Sequence, residues 1–125
     1  MQKRVYMTKN KDREYRIDME VVVDAYDSEE RAMGWYYYVA DECDFPFKAK
    51  CISEERKSPL QKGDIVEVID ISPANECERA IYMDIQWSGR KLAVPLSQLE
   101  GIEMSEITKQ VVEDWHYWIK MGYEF

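Results

Sequence analysis

"DSEERAMGWYYYVADECDFPFKAKC", residues 27–51, reads as one amphipathic helix that stops and hands over to a strand. Asp27 or Ser28 can supply the N-cap oxygen, with Glu30 or Arg31 three residues on, which has the character of a capping box. Ala32, Trp35, Tyr36, Val39 and Cys43 then fall on one stripe at about 100° per residue, so that face packs inward. Phe45-Pro46-Phe47 ends the helix, because the residue before a proline avoids the α region. Phe47 to Ile52 follows as a strand. Helix and strand therefore meet within one short segment.

Working outward, the downstream sequence continues in strands. Pro59-Leu60-Gln61-Lys62-Gly63-Asp64 is rich in breakers, and Ile65 to Ile71 alternates well, with Val66 and Val68 opposite the Ile positions. A loop at 72–76 leads to Ile81–Trp87, and Ser88-Gly89 is a two-residue hairpin signal joining it to Lys91–Val94. Pro95 closes that run at an edge or strand end. Ile107, Val111, Trp115, Trp118 and Ile119 mark an amphipathic C-terminal helix, begun by Ser105 and ended by Gly122. Upstream, Ile17 to Val21 alternates like a strand, yet Ile17, Val21 and Ala25 also share a helical face; the helix is preferred. The expectation is an α+β fold: a small SH3-like antiparallel β-barrel or sheet flanked by N-terminal and C-terminal helices.

The 125 residues are 46% hydrophobic, enough for one domain that buries its core without a staple. Residues 1–13 form a basic leader, and 14–125 the single folded domain. Lys3-Arg4 leads into polar sequence rather than an apolar h-region, and no run of about 18 apolar residues occurs, so neither a secretory signal nor a membrane span is expected. Three cysteines, Cys43, Cys51 and Cys77, lack metal-site spacing and are odd in number, which points to reduced, packed thiols in the cytoplasm. A net charge of −8 opposes nucleic acid and anionic lipid as partners and favours cations. A monomer is expected.

Catalytic chemistry finds little footing. The one histidine, His116, sits between aromatic residues in Asp114-Trp115-His116-Tyr117-Trp118, where a packed or hydrogen-bonding role is the ordinary one. There is no GxSxG, HExxH or Gly-rich phosphate loop, and the chain is not read as an enzyme.

The carboxylates are the anomaly. Asp41, Glu42 and Asp44 crowd the C-terminus of the helix, where the dipole and the unpaired carbonyls favour cations instead. Calcium takes about 6 to 8 oxygen ligands from carboxylates, carbonyls and water, and would reverse the sign of both repulsions. At about 100° per residue Asp41 points away from Val39, towards solvent. Asp24 and Asp27 belong to the other end of the helix, and Glu30 and Asp41 stand roughly 16 Å apart along it, so the two ends cannot share an ion. Glu76 and Glu78, around Cys77, form a third, smaller group. None of these fits an EF-hand: Asp24 to Glu29 lacks acids at positions 3 and 5 and a glycine at 6.

"VVVDAYDSEERAMGWYYYVADECDFPFKAKC" (21–51), "GRKLAVPLSQLE" (89–100) and "DWHYW" followed by "GYEF" resemble the CcbP-like calcium-binding proteins known from cyanobacteria. The resemblance covers nearly all of the chain beyond the basic leader. It implies a small acidic cytoplasmic protein that binds Ca2+ without an EF-hand, as a buffer or sequestering agent, in a fold combining a small barrel with helices. It also implies a metal-binding role for Asp41, one of an acidic pair after the Tyr-rich helix; Ala40 stands where the first acid of that pair is expected.

Two functions follow. The first is a calcium-binding protein, buffer or sensor, using the clusters of Asp41, Glu42, Asp44, Asp24 and Asp27, with Glu76 and Glu78 as lesser candidates. The second is an SH3-like protein-interaction module whose acids serve solubility and hold no specific metal.

Overall fold

A computed structural model describes residues 9–125. Most of the basic leader lies outside the described residues. Its last part, from Lys11, opens helix α1 (Lys11–Arg16), whose first turn is capped by Asn10 accepting the Arg13 N–H at 2.9 Å. The expected N-terminal helix is present, but in two geometries: from Ile17 to Val21 it widens into a π-helical turn that buries Ile17 and Val21.

Helix α2 (Ser28–Glu42) begins as its sequence suggests, with the Asp27 carboxylate accepting the Glu30 N–H at 2.8 Å. Glu30 reaches back one residue beyond the cap, accepting the Tyr26 N–H. Its buried stripe is Ala32, Trp35, Tyr38 and Val39, continued by Cys43; Tyr36 is only partly covered. Gly34 has a steric reason: a Cβ there would collide with the carbonyl of Val21, so the π turn can rest directly on α2.

The sheet has five antiparallel strands: β1 (Phe47–Cys51), β2 (Ile65–Ile71), β3 (Tyr82–Trp87), β4 (Arg90–Pro95) and β5 (Leu99–Glu103), in the order β4-β3-β2-β1-β5. The Ser88-Gly89 hairpin is present, both residues having positive φ as a type I′ turn requires. In β2 the register shifts between Val68 and Asp70, so that Val66, Val68 and also Ile71 face the core. Pro95 ends β4 at a margin of the sheet. Strand β5 is not legible in the sequence. Leu99-Glu100-Gly101-Ile102-Glu103 has one buried residue and a glycine that receives the Met104 side chain, and it exists because β1 has a second edge to pair. The strand order, with a 3-10 turn at Leu96–Gln98 between β4 and β5, establishes the α+β class and its antiparallel sheet.

Helix α3 (Glu106–Lys120) starts at Ser105, whose hydroxyl accepts the Thr108 N–H, and stops before Gly122 at φ +82°. It lays Trp115 edge-on against Trp35 at 5.0 Å, joining both helices and the sheet into one core. No helix among the described residues is long and apolar enough to cross a membrane.

Candidate metal centre

The end of α2 is built by a backbone diversion. The Cys43 N–H makes the last helical bond, to the Val39 carbonyl at 3.2 Å, and Cys43 itself is extended. The Asp44 N–H, which a continuing helix would give to Ala40, goes instead to Thr108 Oγ1 of α3 at 2.7 Å. The Ala40 carbonyl thereby loses its helical donor, one of the orphan acceptors of a helix terminus. Asp41, Glu42 and Asp44 all stand exposed around this point, as expected for Asp41, and none is ion-paired among the described residues. Between them Cys43 is buried. Burial, reinforced by the charges of Asp44 and Glu42, pushes its thiol up to about 12, which registers the negative field of this segment.

The other acidic candidates lie elsewhere. Asp24 occupies a left-handed turn at φ +59° before α2, exposed to solvent. Asp27 is committed to capping. The length of α2, about 1.5 Å per residue, keeps this pair away from Asp41, Glu42 and Asp44. Glu76 ends a short 3-10 turn, Ala74–Glu76, and Glu78 borders a cleft beside it. Asp41, Glu42 and Asp44 are neighbours along the chain, and the fold adds none of the other candidates to them. Among the described residues no three His, Cys, Asp or Glu side chains converge into a ready-made ligand set.

One acidic residue outside the candidate clusters has a larger structural role. Asp114 is fully buried in α3 and accepts from Arg13 Nη1 at 2.6 Å, Arg16 Nη2 at 2.7 Å, Arg16 Nε at 2.9 Å and the Tyr38 hydroxyl at 2.6 Å. Asp114 raises the Arg16 pKa, through their hydrogen bonds first, and burial followed by that same carboxylate raises the Tyr38 pKa. The signal was present. Asp114 lies three residues after Val111 and four before Trp118, on the buried stripe, and the basic segment is its complement in sign. Glu14 plays a related part, accepting from the hydroxyls of Tyr117 and Tyr123. His116 has the hydrogen-bonding role expected: Nε2 donates to the Leu99 carbonyl at 2.6 Å, and burial lowers the imidazole pKa, favouring the neutral ring.

The family model described as calcium binding, of CcbP type, matches residues 15–119. Two solved structures are similar throughout. The crystal structure of Anabaena CcbP has 38% sequence identity and a TM-score of 0.86, covering 95% of this chain and 98% of that one. A calcium-binding protein in its calcium-binding form is also 38% identical, with a TM-score of 0.84 and coverage of 94% and 96%. No curated protein matches.

Proposed function

The chain belongs to the CcbP-type calcium-binding family, and we propose that it binds Ca2+ at the end of α2, through Asp41, Glu42 and Asp44, as a calcium buffer. The observation that carries this reading is the pairing of three exposed carboxylates with a helix C-terminus whose Ala40 carbonyl has lost its donor. Both features repel one another without a cation and both are hard oxygen donors towards one.

No convergent ligand set stands ready, so several of the ion's oxygens would be water and the side chains would have to gather around it. Such a site is exposed, exchanges quickly and weakens with salt, which suits buffering rather than tight storage. A site without an EF-hand is supported by the connection between the π turn and α2, which spans only residues 22–27, against the twelve-residue loop of that motif. Asp24 and Asp27 would at most form a separate, weaker site, because Asp27 is engaged as a cap; Glu76 and Glu78 rank below them. The three buried free thiols support a reducing, cytoplasmic setting. No catalytic role is proposed.

Calorimetric titration with calcium in metal-free buffer, alongside amide chemical shifts, tests the proposal. Saturable heat with the first shifts at residues 40–44 is the expected result. Heat accompanied by shifts only at Asp24 and Asp27 would move the site to the other end of α2. No heat at all would sink calcium binding by these clusters.

A further inference from the structure

The N-terminal helix is held in two different ways along its length. Its second part, the π turn from Ile17 to Val21, is anchored by apolar burial: Ile17 and Val21 lie in the core, and the absence of a Cβ at Gly34 lets the Val21 backbone rest on α2. Its first part, α1, buries no residue, and Tyr15 is largely exposed. Among the described residues, the side-chain hydrogen bonds and ion pairs that tie α1 and its cap to other elements all go to α3 or to Tyr123 just after it. Six residues are too few for a helix to persist in water unaided, so α1 depends on those polar contacts.

The latch centres on Asp114. Its carboxylate is fully buried, whereas Arg13 and Arg16, which bond to it, each keep 20% of the side chain exposed and line a groove of about 510 Å³. The two guanidinium groups therefore stand between this carboxylate and water. Its further donor, the Tyr38 hydroxyl, comes from α2 and is neutral, so α1 supplies both cations paired with it. Water enters as the arginines leave, which offsets the cost of parting a buried ion pair.

We propose that α1 is a strap that opens by itself, hinged between Arg16 and Ile17 and held shut by its ionic contacts with Asp114. Opening leaves the π turn docked on α2. It bares the Asp114 carboxylate and frees Glu14 from the Tyr117 and Tyr123 hydroxyls, which turns a neutralised site on α3 into an anionic one. Segments with few buried apolar contacts are those that open below the global free energy of unfolding.

Native-state hydrogen exchange of the full chain, in chelator and low urea, tests the strap independently of calcium. The Glu14, Tyr15 and Arg16 amides should exchange through an opening that scarcely depends on urea, whereas Val39 and Val111 should follow global unfolding. Two variants locate the latch and the hinge. Arg13→Gln leaves Arg16 on Asp114 and should speed the three α1 amides roughly tenfold, as loss of a hydrogen bond to a charged group implies. Ile17→Val thins the apolar anchor and should speed Val39 and Val111 about fivefold. It should leave the α1 amides unchanged, because Ile17 stays buried when the strap is open. The proposal is overturned if the α1 amides share the urea dependence of Val39 and Val111, if Arg13→Gln leaves them unaltered, or if Ile17→Val speeds them too.

Discussion

Asp44 gives its backbone N–H to the side-chain oxygen of Thr108, at 2.7 Å and 64 residues away in sequence. This bond ends α2 and fixes the acidic segment to the first turn of α3. Ser105 strengthens the junction, donating its hydroxyl to the same Thr108 oxygen while accepting the Thr108 N–H. Thr108→Val keeps the shape and removes the acceptor. It should lower stability by about 1–2 kcal/mol and weaken calcium binding without abolishing it. Paired melts and calorimetric titrations read both effects; unchanged affinity would detach α3 from the proposed calcium site.

Asp41→Asn should weaken calcium binding substantially while leaving the apo protein as stable as the parent or slightly more so, because a repulsive charge leaves a helix C-terminus. Asp27→Asn preserves the cap and should melt like the parent, whereas Asp27→Ala should cost about 1 kcal/mol. A parent-like titration of Asp41→Asn would show that the site had been assigned to the wrong acids.

Calcium binding to the folded chain alone should stabilise it by about 2.7 kcal/mol at a hundredfold excess over Kd, and chelator should reverse the gain. Magnesium should compete poorly, since it demands near-octahedral geometry and sheds water reluctantly. Thermal melts with each ion provide the measurement. Equal stabilisation by both would indicate a diffuse ion atmosphere.

The buried cluster makes a prediction of its own. Asp114→Asn leaves two guanidinium groups facing a neutral amide in the interior, and loss of one partner of such a cluster costs about 3–5 kcal/mol. Tyr38→Phe removes the donation to Asp114 and a longer bond accepted from Gln110, and should cost about 1–2 kcal/mol. Urea unfolding should preserve that order. Gly34→Ala should also destabilise, through collision with the Val21 carbonyl despite the better helix propensity of alanine.

Stability should fall at both ends of the pH scale. The folded Cys43 thiol keeps its proton up to about 12, while the unfolded thiol ionises near its ordinary 9.0. Its contribution is therefore complete below pH 9 and is lost as pH rises from there towards 12. Tyr36, Tyr38, Tyr117 and Tyr123 are raised too and act in the same direction from about pH 10. His116 is lowered, so its contribution is present above its ordinary 6.5 and is lost as pH falls below it. Urea midpoints across the pH range measure this, and Cys43→Ala should flatten the decline that begins near pH 9.

Local periodicity and local chemistry were enough for much of this molecule. The caps at Asp27 and Ser105, the Ser88-Gly89 turn and the strands before and after it depend on neighbours in the chain, so a single sequence displays them. The same holds for the acids at 41, 42 and 44, which are close in space because they are close in sequence. Tertiary structure alone decided the rest. Strand β5 forms because β1 has an open edge, Tyr38 takes the buried place expected of Tyr36 because its hydroxyl reaches Asp114, and an aromatic cleft closes where α2 and α3 meet the 74–79 loop. Each of these joins residues far apart along the chain, and pairing, desolvation and hydrogen bonding across such distances leave no period in the sequence to read.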